Sequence, residues 1–459
     1  MDTSDISANP GEPAVSAVVP EPSAPVSASE RITAIDTLRG FALLGILLMN
    51  ITAMGMPMAS YDNPSVSGGD TGWNLGVWSI MHVLAEGKMR CLFSLVFGAS
   101  VILLTSRLDK RGNGADIYYR RNLWLAVFGI VHAYLLWLGD ILYPYALCAL
   151  VLYPFRKLRP KRLLAIGGVL LVLTSLSYIG KGFGEREMIT KGREALAIEA
   201  SGKKLTPAQA EAKVDYEKWR KFMHPTSEEL AKDRDEWTGS PISVIKARAK
   251  AVLFWHSLPF YHPMHWDIWS MMFIGMGLMK LGVLSAELST RAYARMAIAG
   301  YLIGIPVNSY TALLVIKSGF DPVVQSFTAT TYDVGRLSIA IGHLGVLMLM
   351  CKTGVFRWLT ERLGAVGQMA FSNYVMQSII GAFVFTGYGF KLYGQLERYQ
   401  LYYVVAAIWA VQMIVSPIWL KHYRFGPLEW AWRSLTYWKR QPMHMDEQTA
   451  PASAVHAAA

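Results

Sequence analysis

The chain has 459 residues, of which 53% are hydrophobic and only 17% charged, with a formal charge of +11. Soluble domains carry about 25% charged residues, so the composition excludes an ordinary water-soluble fold and points to a membrane. Nor does the positive charge indicate nucleic-acid binding. The Lys and Arg residues lie mainly in short connections between apolar runs, and no basic face or binding motif on a soluble fold accompanies them.

Residues 1–30 are rich in Ala, Ser, Pro and Glu without an apolar core or basic leader, which predicts a disordered tail rather than a cleaved signal. Apolar runs of membrane-crossing length then recur. They predict an all-α bundle of about ten transmembrane helices near 38–58, 89–106, 122–138, 140–155, 163–181, 264–281, 296–316, 334–351, 368–388 and 400–420. The expected divisions are an N-terminal membrane bundle over 31–181 and an extramembrane helical loop over 182–250. A C-terminal bundle follows over 251–440, then a loose tail over 441–459. Thr206–Gln209 and Thr226–Glu229 have capping-box spacing, so the loop should hold short helices.

Charge asymmetry gives the threading. Arg107, Lys110, Arg111, Arg120 and Arg121 join spans two and three, and Arg156 through Arg162 carry five basic residues between spans four and five. The segment 59–74 has none, so both termini of a multi-pass membrane protein are expected in the cytoplasm. Cys91, Cys148 and Cys351 fall within spans and imply no disulfide framework.

Ionisable and amide groups at membrane depth are functional candidates by default. Asp36 and Arg39 share a helical face and can pair at the cytoplasmic edge, either as an anchor or as part of a ligand site. Glu86, Lys88 and Arg90 crowd the outer entrance to span two, where the cations can anchor the helix or hold an anionic group. His132 lies midway along span three. Asp140 follows eight residues later, two turns on, which along one helix is too far for direct contact. An imidazole there can act as a general base or carry a transferred group, or simply hydrogen-bond a neighbouring helix. His343, Asn373 and Gln377 complete the set, and the two amides, four apart, suit interhelical hydrogen bonding. His256, His262, His265 and Asp267 cluster before span six but match no dependable zinc spacing, so no metal is expected.

The stretch Asp36-Thr37-Leu38-Arg39-Gly40-Phe41-Ala42 resembles the opening of the bacterial YeiB family of inner-membrane proteins of unknown function. Gly87–Gly98, His132–Leu142, Met369–Ser378 and Phe425–Arg433 are similar to later stretches of that family, in the same order. The Asp-x-Leu-Arg-Gly opening is also similar to that of transmembrane acyltransferases, including heparan-alpha-glucosaminide N-acetyltransferase and glycan O-acyltransferases. His132, Trp137, Gly139 and Asp140 look related to that enzyme's catalytic His segment, with a different spacing.

The resemblance implies transfer of an acyl group from cytoplasmic acyl-CoA to a glycan, lipid or small-molecule acceptor at the outer face. His132 and Asp140 would be catalytic. Asp36, Arg39, Glu86, Lys88, Arg90, His343, Asn373 and Gln377 would bind substrate. No bound cofactor is expected, acyl-CoA being a donor substrate. The lipid bilayer is the expected partner, and no pattern fixes an oligomeric state. The alternative is a transporter or flippase of a small or lipid-linked solute that uses the same cavity without a covalent step.

Overall fold

The computed structural model describes residues 32–109, 114–256 and 258–445, with the side chains of 255 and 258–263 left aside. The expected tail over 1–30 lies outside these residues, as do residues 446–459 and the side chain of His262. Residues 441–445 fold back instead: Arg424 N donates to Met443 O at 2.9 Å and Met445 N to His422 O at 3.0 Å.

The described residues form an all-α bundle. First come α1 (Thr33–Gly55), the short α2 (Ala59–Asp62) and α3 (Gly72–Leu84), then α4 (Lys88–Asp109), α5 (Gly114–Leu135) and α6 (Leu142–Leu152). The long α7 (Pro160–Ala200) leads into α8 (Pro207–Met223), α9 (Ser227–Thr238) and α10 (Pro241–Trp255). The second half holds α11 (Leu258–Lys280), α12 (Thr290–Lys317), α13 (Pro322–Thr328), α14 (Tyr332–Thr353) and α15 (Arg357–Gln368). It ends with α16 (Ala370–Phe385), α17 (Arg398–His422) and α18 (Pro427–Tyr437).

A helix stands at each of the ten expected spans. Among the described residues six helical stretches are long and apolar enough to cross a membrane: Thr33–Gly55, Gly72–Asp109, Pro160–Ala200, Thr290–Lys317, Pro322–Thr353 and Arg398–His422. Several turn apolar residues outward, as Val169, Leu176, Leu302 and Ile418 do. Water penalises such a surface, whereas hydrocarbon accommodates it. This is a membrane protein.

α1 runs through the middle, against α4, α14, α15, α16 and α17. Thr37 Oγ1 donates to Thr360 O of α15 at 3.1 Å, and Trp409 Nε1 of α17 to Leu44 O at 3.1 Å. In lipid, helices associate through close packing rather than through hydrophobic drive, so small residues mark the tightest crossings. At the α4–α11 crossing a Cβ on Gly98 would collide with Met272 O, and one on Gly275 with Leu95 O. Both capping boxes form, Thr206 with Gln209 and Thr226 with Glu229, and they start α8 and α9. With α10 these helices make a cover tied down at Tyr393, whose hydroxyl donates to Asp233 at 2.8 Å.

Candidate functional site

α5 ends at Leu135, three residues after His132, and α6 begins at Leu142. The turn between them, 136–141, reverses the chain and returns Asp140 to the imidazole. The expectation that Asp140 stands too far along one helix is therefore corrected: the helix breaks, and His132 Nδ1 lies 2.8 Å from Asp140 Oδ1. Gly129 permits the tight return, since a Cβ there would strike the backbone N of Tyr143 and stand 2.8 Å from its Cα. Tyr143 N in turn donates to Asp140 Oδ2 at 2.8 Å. Both carboxylate oxygens are thus committed within the α5–α6 hairpin.

The opposite ring nitrogen, His132 Nε2, lies 2.8 Å from Ser378 Oγ on α16. The side chains of His132 and Asp140 are 2% and 0% exposed. With the carboxylate ionised, Nδ1–H donates to Asp140 and Nε2 accepts from the Ser378 hydroxyl. That is the hydrogen-bond order of an acid–base–nucleophile line. Tyr374, one turn before Ser378, accepts from Ile141 N at 3.2 Å and lays its ring 5.0 Å from the imidazole.

α18 holds the two helices in register. Trp432 donates to Arg121 O of α5 at 2.8 Å, receives the Arg121 guanidinium on its face at 3.7 Å, and packs edge-on to Phe371 of α16 at 5.8 Å. Glu429 accepts from Phe371 N at 2.6 Å, Ser372 N at 3.1 Å and Ser372 Oγ at 2.5 Å, satisfying the first donors of α16. Burial pushes its carboxyl above the usual range, against the pull of those hydrogen bonds.

The other candidates do not join this line. Asp36 and Arg39 do pair, at 2.6 Å, and Arg39 also donates to Gly367 O at 3.3 Å and Ser100 Oγ at 3.3 Å. Lys88 is fully buried and donates to His82 O at 2.6 Å, while Glu86 accepts from Tyr332 at 3.0 Å. Arg90 pairs with Asp267 at 3.0 Å. His343 is bound through Nδ1 to Tyr301 at 2.8 Å and through Nε2 to Leu84 O at 2.9 Å. Asn373 bonds Ser416 at 3.0 Å and Gln377 bonds Gln412 at 3.0 Å, both between α16 and α17.

Sequence reasoning missed Ser378, although it ends the Met369–Ser378 stretch, and Arg336 with Asp333. Arg336 pairs with Asp333 at 2.5 Å and with Asp267, so with the half-buried Arg90 they form a charge-balanced network across α4, α11 and α14. Of the residues weighed before span six, Asp267 serves that network, and His256 stacks on Tyr143 with ring centroids 5.0 Å apart.

A family model described as a protein of unknown function (DUF418) matches residues 278–439. The chain is 29% identical over 442 residues to the uncharacterised protein YxaH of Bacillus subtilis, spanning 91% of this chain and 97% of that one. It is 29% identical over 412 residues to the uncharacterised protein YeiB of Escherichia coli, spanning 89% and 96%. These similarities support its assignment to the YeiB family. An uncharacterised 39.9 kDa protein in the amylase 3' region of Bacillus acidopullulyticus is 27% identical over 425 residues, spanning 92% and 99%. No solved structure matches at a significant level. The stretch matched by the family model includes Ser378, and the relatives extend the YeiB-like similarity over most of the chain, 89% of it for YeiB itself.

Proposed function

We propose that this YeiB-family protein is a membrane acyltransferase, and the observation that carries the reading is the buried Asp140–His132–Ser378 line. A hydroxyl held on a carboxylate-oriented imidazole can attack an acyl carbon at neutral pH. Ser378 Oγ forms a bond to the carbonyl carbon of an acyl thioester as its proton passes to His132 Nε2. The carbon–sulfur bond breaks, and the departing thiolate takes that proton. An acceptor hydroxyl or amine then attacks the acyl-Ser378 ester and gives its proton to His132. Ser378 Oγ leaves and recovers the proton, which closes the cycle. Asp140 holds the imidazole in the required tautomer throughout.

Acyl-CoA is the donor in this reading. Arg433 and Arg39 both lie near enough to Arg121 to repel it, and Arg121 stands eleven residues before His132 on α5. That is about 16 Å along the helix axis. A donor could therefore lay its phosphates on this basic end, the cytoplasmic one in the N-in, C-in threading, and reach the line with its long thioester arm.

The test is acyl transfer by the detergent-purified full chain supplied with acetyl-CoA, alongside calorimetric binding of acetyl-CoA. Wild type should bind acetyl-CoA and release free coenzyme A in the presence of acceptor extracts. His132→Ala should retain binding and lose at least about a thousandfold in rate, the scale of losing the base in such a line. Full turnover by His132→Ala would end the proposed mechanism.

A second reading draws on the Arg90, Asp267, Arg336 and Asp333 network, because intramembrane charges also mark ion or solute paths. It expects solute flux into proteoliposomes without any acyl donor, lost on replacing Asp333.

A further inference from the structure

A cavity of about 370 Å³ lies beneath the cover helices, against the wall of the Asp140–His132–Ser378 line. Its lining includes Leu136, Trp137 and Leu138 from the α5–α6 turn and Gly381 and Ala382, one turn beyond Ser378. The volume is within the range of small-ligand sites. Most of the remaining wall is apolar, with Met54, Trp237 and Phe254 prominent.

Arg248 of α10 stands in this wall and is only 1% exposed. Its Nη1 donates to Leu135 O at 2.6 Å and Tyr388 Oη at 2.9 Å, and its Nε has no partner among the described residues. The guanidinium lies over the rings of Tyr388, at 5.3 Å, and Trp237, at 5.8 Å. No carboxylate among the described residues pairs with it. A buried cation without a counter-ion is costly, and a carbonyl, a hydroxyl and ring faces do not neutralise it. Trp137, also in the wall, carries a second buried donor, its Nε1, without a partner among the described residues.

Other charges touch the cavity. Lys250 adds a second cation, and Asp233 and Glu236 lie on the cover side. Asp233 is taken up by the Tyr393 hydroxyl, and burial raises its pKa from the usual carboxylate range, which weakens it as a counter-ion. Phe254 both lines the cavity and is 50% exposed, and Ile242 and Leu253 of the same helix are exposed as well. The outer face of α10 therefore mixes apolar Ile242, Leu253 and Phe254 with exposed Lys246 and Lys250, as suits a helix lying at an anionic lipid interface.

We infer that this cavity binds an anionic amphiphile from the bilayer, its phosphate on Arg248 and its apolar body along Trp137, Trp237 and Phe254, as the substrate presented to Ser378. The inference rests on the acyl-transfer reading for that last role alone; the binding itself does not need it.

The probe is a fluorescent phosphatidylglycerol, titrated onto the detergent-purified full chain and competed with unlabelled phosphatidylglycerol, phosphatidylcholine or inorganic phosphate. Saturable binding displaced by phosphatidylglycerol alone is expected, weakened at least about tenfold in Arg248→Gln and partly restored in Arg248→Lys. Ala251→Trp, which fills the cavity with Arg248 left in place, should abolish it, and Tyr388→Phe should change it little. Each variant is first shown to be monodisperse and helical. Ser378→Ala should bind like wild type, and wild-type protein that binds the lipid but transfers no acyl group would fail the enzyme reading while leaving this inference standing. Equal displacement by phosphatidylcholine, displacement by inorganic phosphate, or unchanged affinity in folded Arg248→Gln or Ala251→Trp would overturn it.

Discussion

His132 shows how much one turn decides. Its Nδ1 and Nε2 each meet one partner at 2.8 Å, and the geometry exists because the chain stops being helical at Leu135. Gly129 is the residue that most narrowly permits it, with the Tyr143 backbone lying where a side chain would begin. Gly129→Ala should therefore push the start of α6 away and take the Tyr143 N–H from Asp140. Overpacking of this kind costs about 1–3 kcal/mol. Thermal unfolding in detergent should show that loss, and acyl transfer should fall further than stability does. A variant as stable and active as wild type would mean that Tyr143 has room to move. Ser378 was harder to see in the sequence. It stands 246 residues from His132, a separation that no helical periodicity reports, and its hydroxyl also reaches Tyr374 O at 3.4 Å, the backbone partner a lone Ser in an apolar helix usually has. Asp140 could have been placed better: Gly139 and Pro144 flank it, and together they signal a break rather than a continuing helix.

The elements hold this site from outside. α18 bridges α5 through Trp432 and α16 through Glu429, so the spacing between His132 and Ser378 is set by a helix that touches neither. Glu429→Ala leaves the first donors of α16 without their acceptor, at a cost of about 1–3 kcal/mol. The sign of the pH effect follows from burial. The Glu429 carboxyl titrates above its usual value of 4.5, so its contribution to stability is complete below that value and is lost as pH rises through the folded one. Glu429→Gln should flatten that dependence in thermal unfolding measured across the mildly acidic range; an unchanged slope would remove Glu429 as its source. Helix positions were largely legible from apolar run length, and the capping boxes from four-residue patterns. Helix ends were less so. α7 continues to Ala200, far past 181, because its charged extension is sustained by pairs such as Lys191–Glu187 at 2.6 Å.

For the whole molecule, the charge asymmetry that predicts the threading has a direct consequence. Single cysteines at Asp70 and Lys203 should react with an impermeant maleimide on intact cells. Those at Val355 and Lys439 should react only after permeabilisation, in a background with Cys351 replaced. The reverse pattern would invert the protein and move the basic end of α5 to the outer face, away from any cytoplasmic thioester. What sequence could not convey at this scale is which polar groups meet. Arg39 and Lys88 are absorbed by carbonyls and a near carboxylate, while Arg248, unremarked among the charges of the cover, is left without one. The most direct test of the central claim is to incubate the purified full chain with isotopically labelled acetyl-CoA, quench in acid and map the label by peptide mass spectrometry. An acetyl group on Ser378 in wild type, absent from His132→Ala and Ser378→Ala, is the predicted result. An unlabelled Ser378 in protein that binds acetyl-CoA would contradict the account.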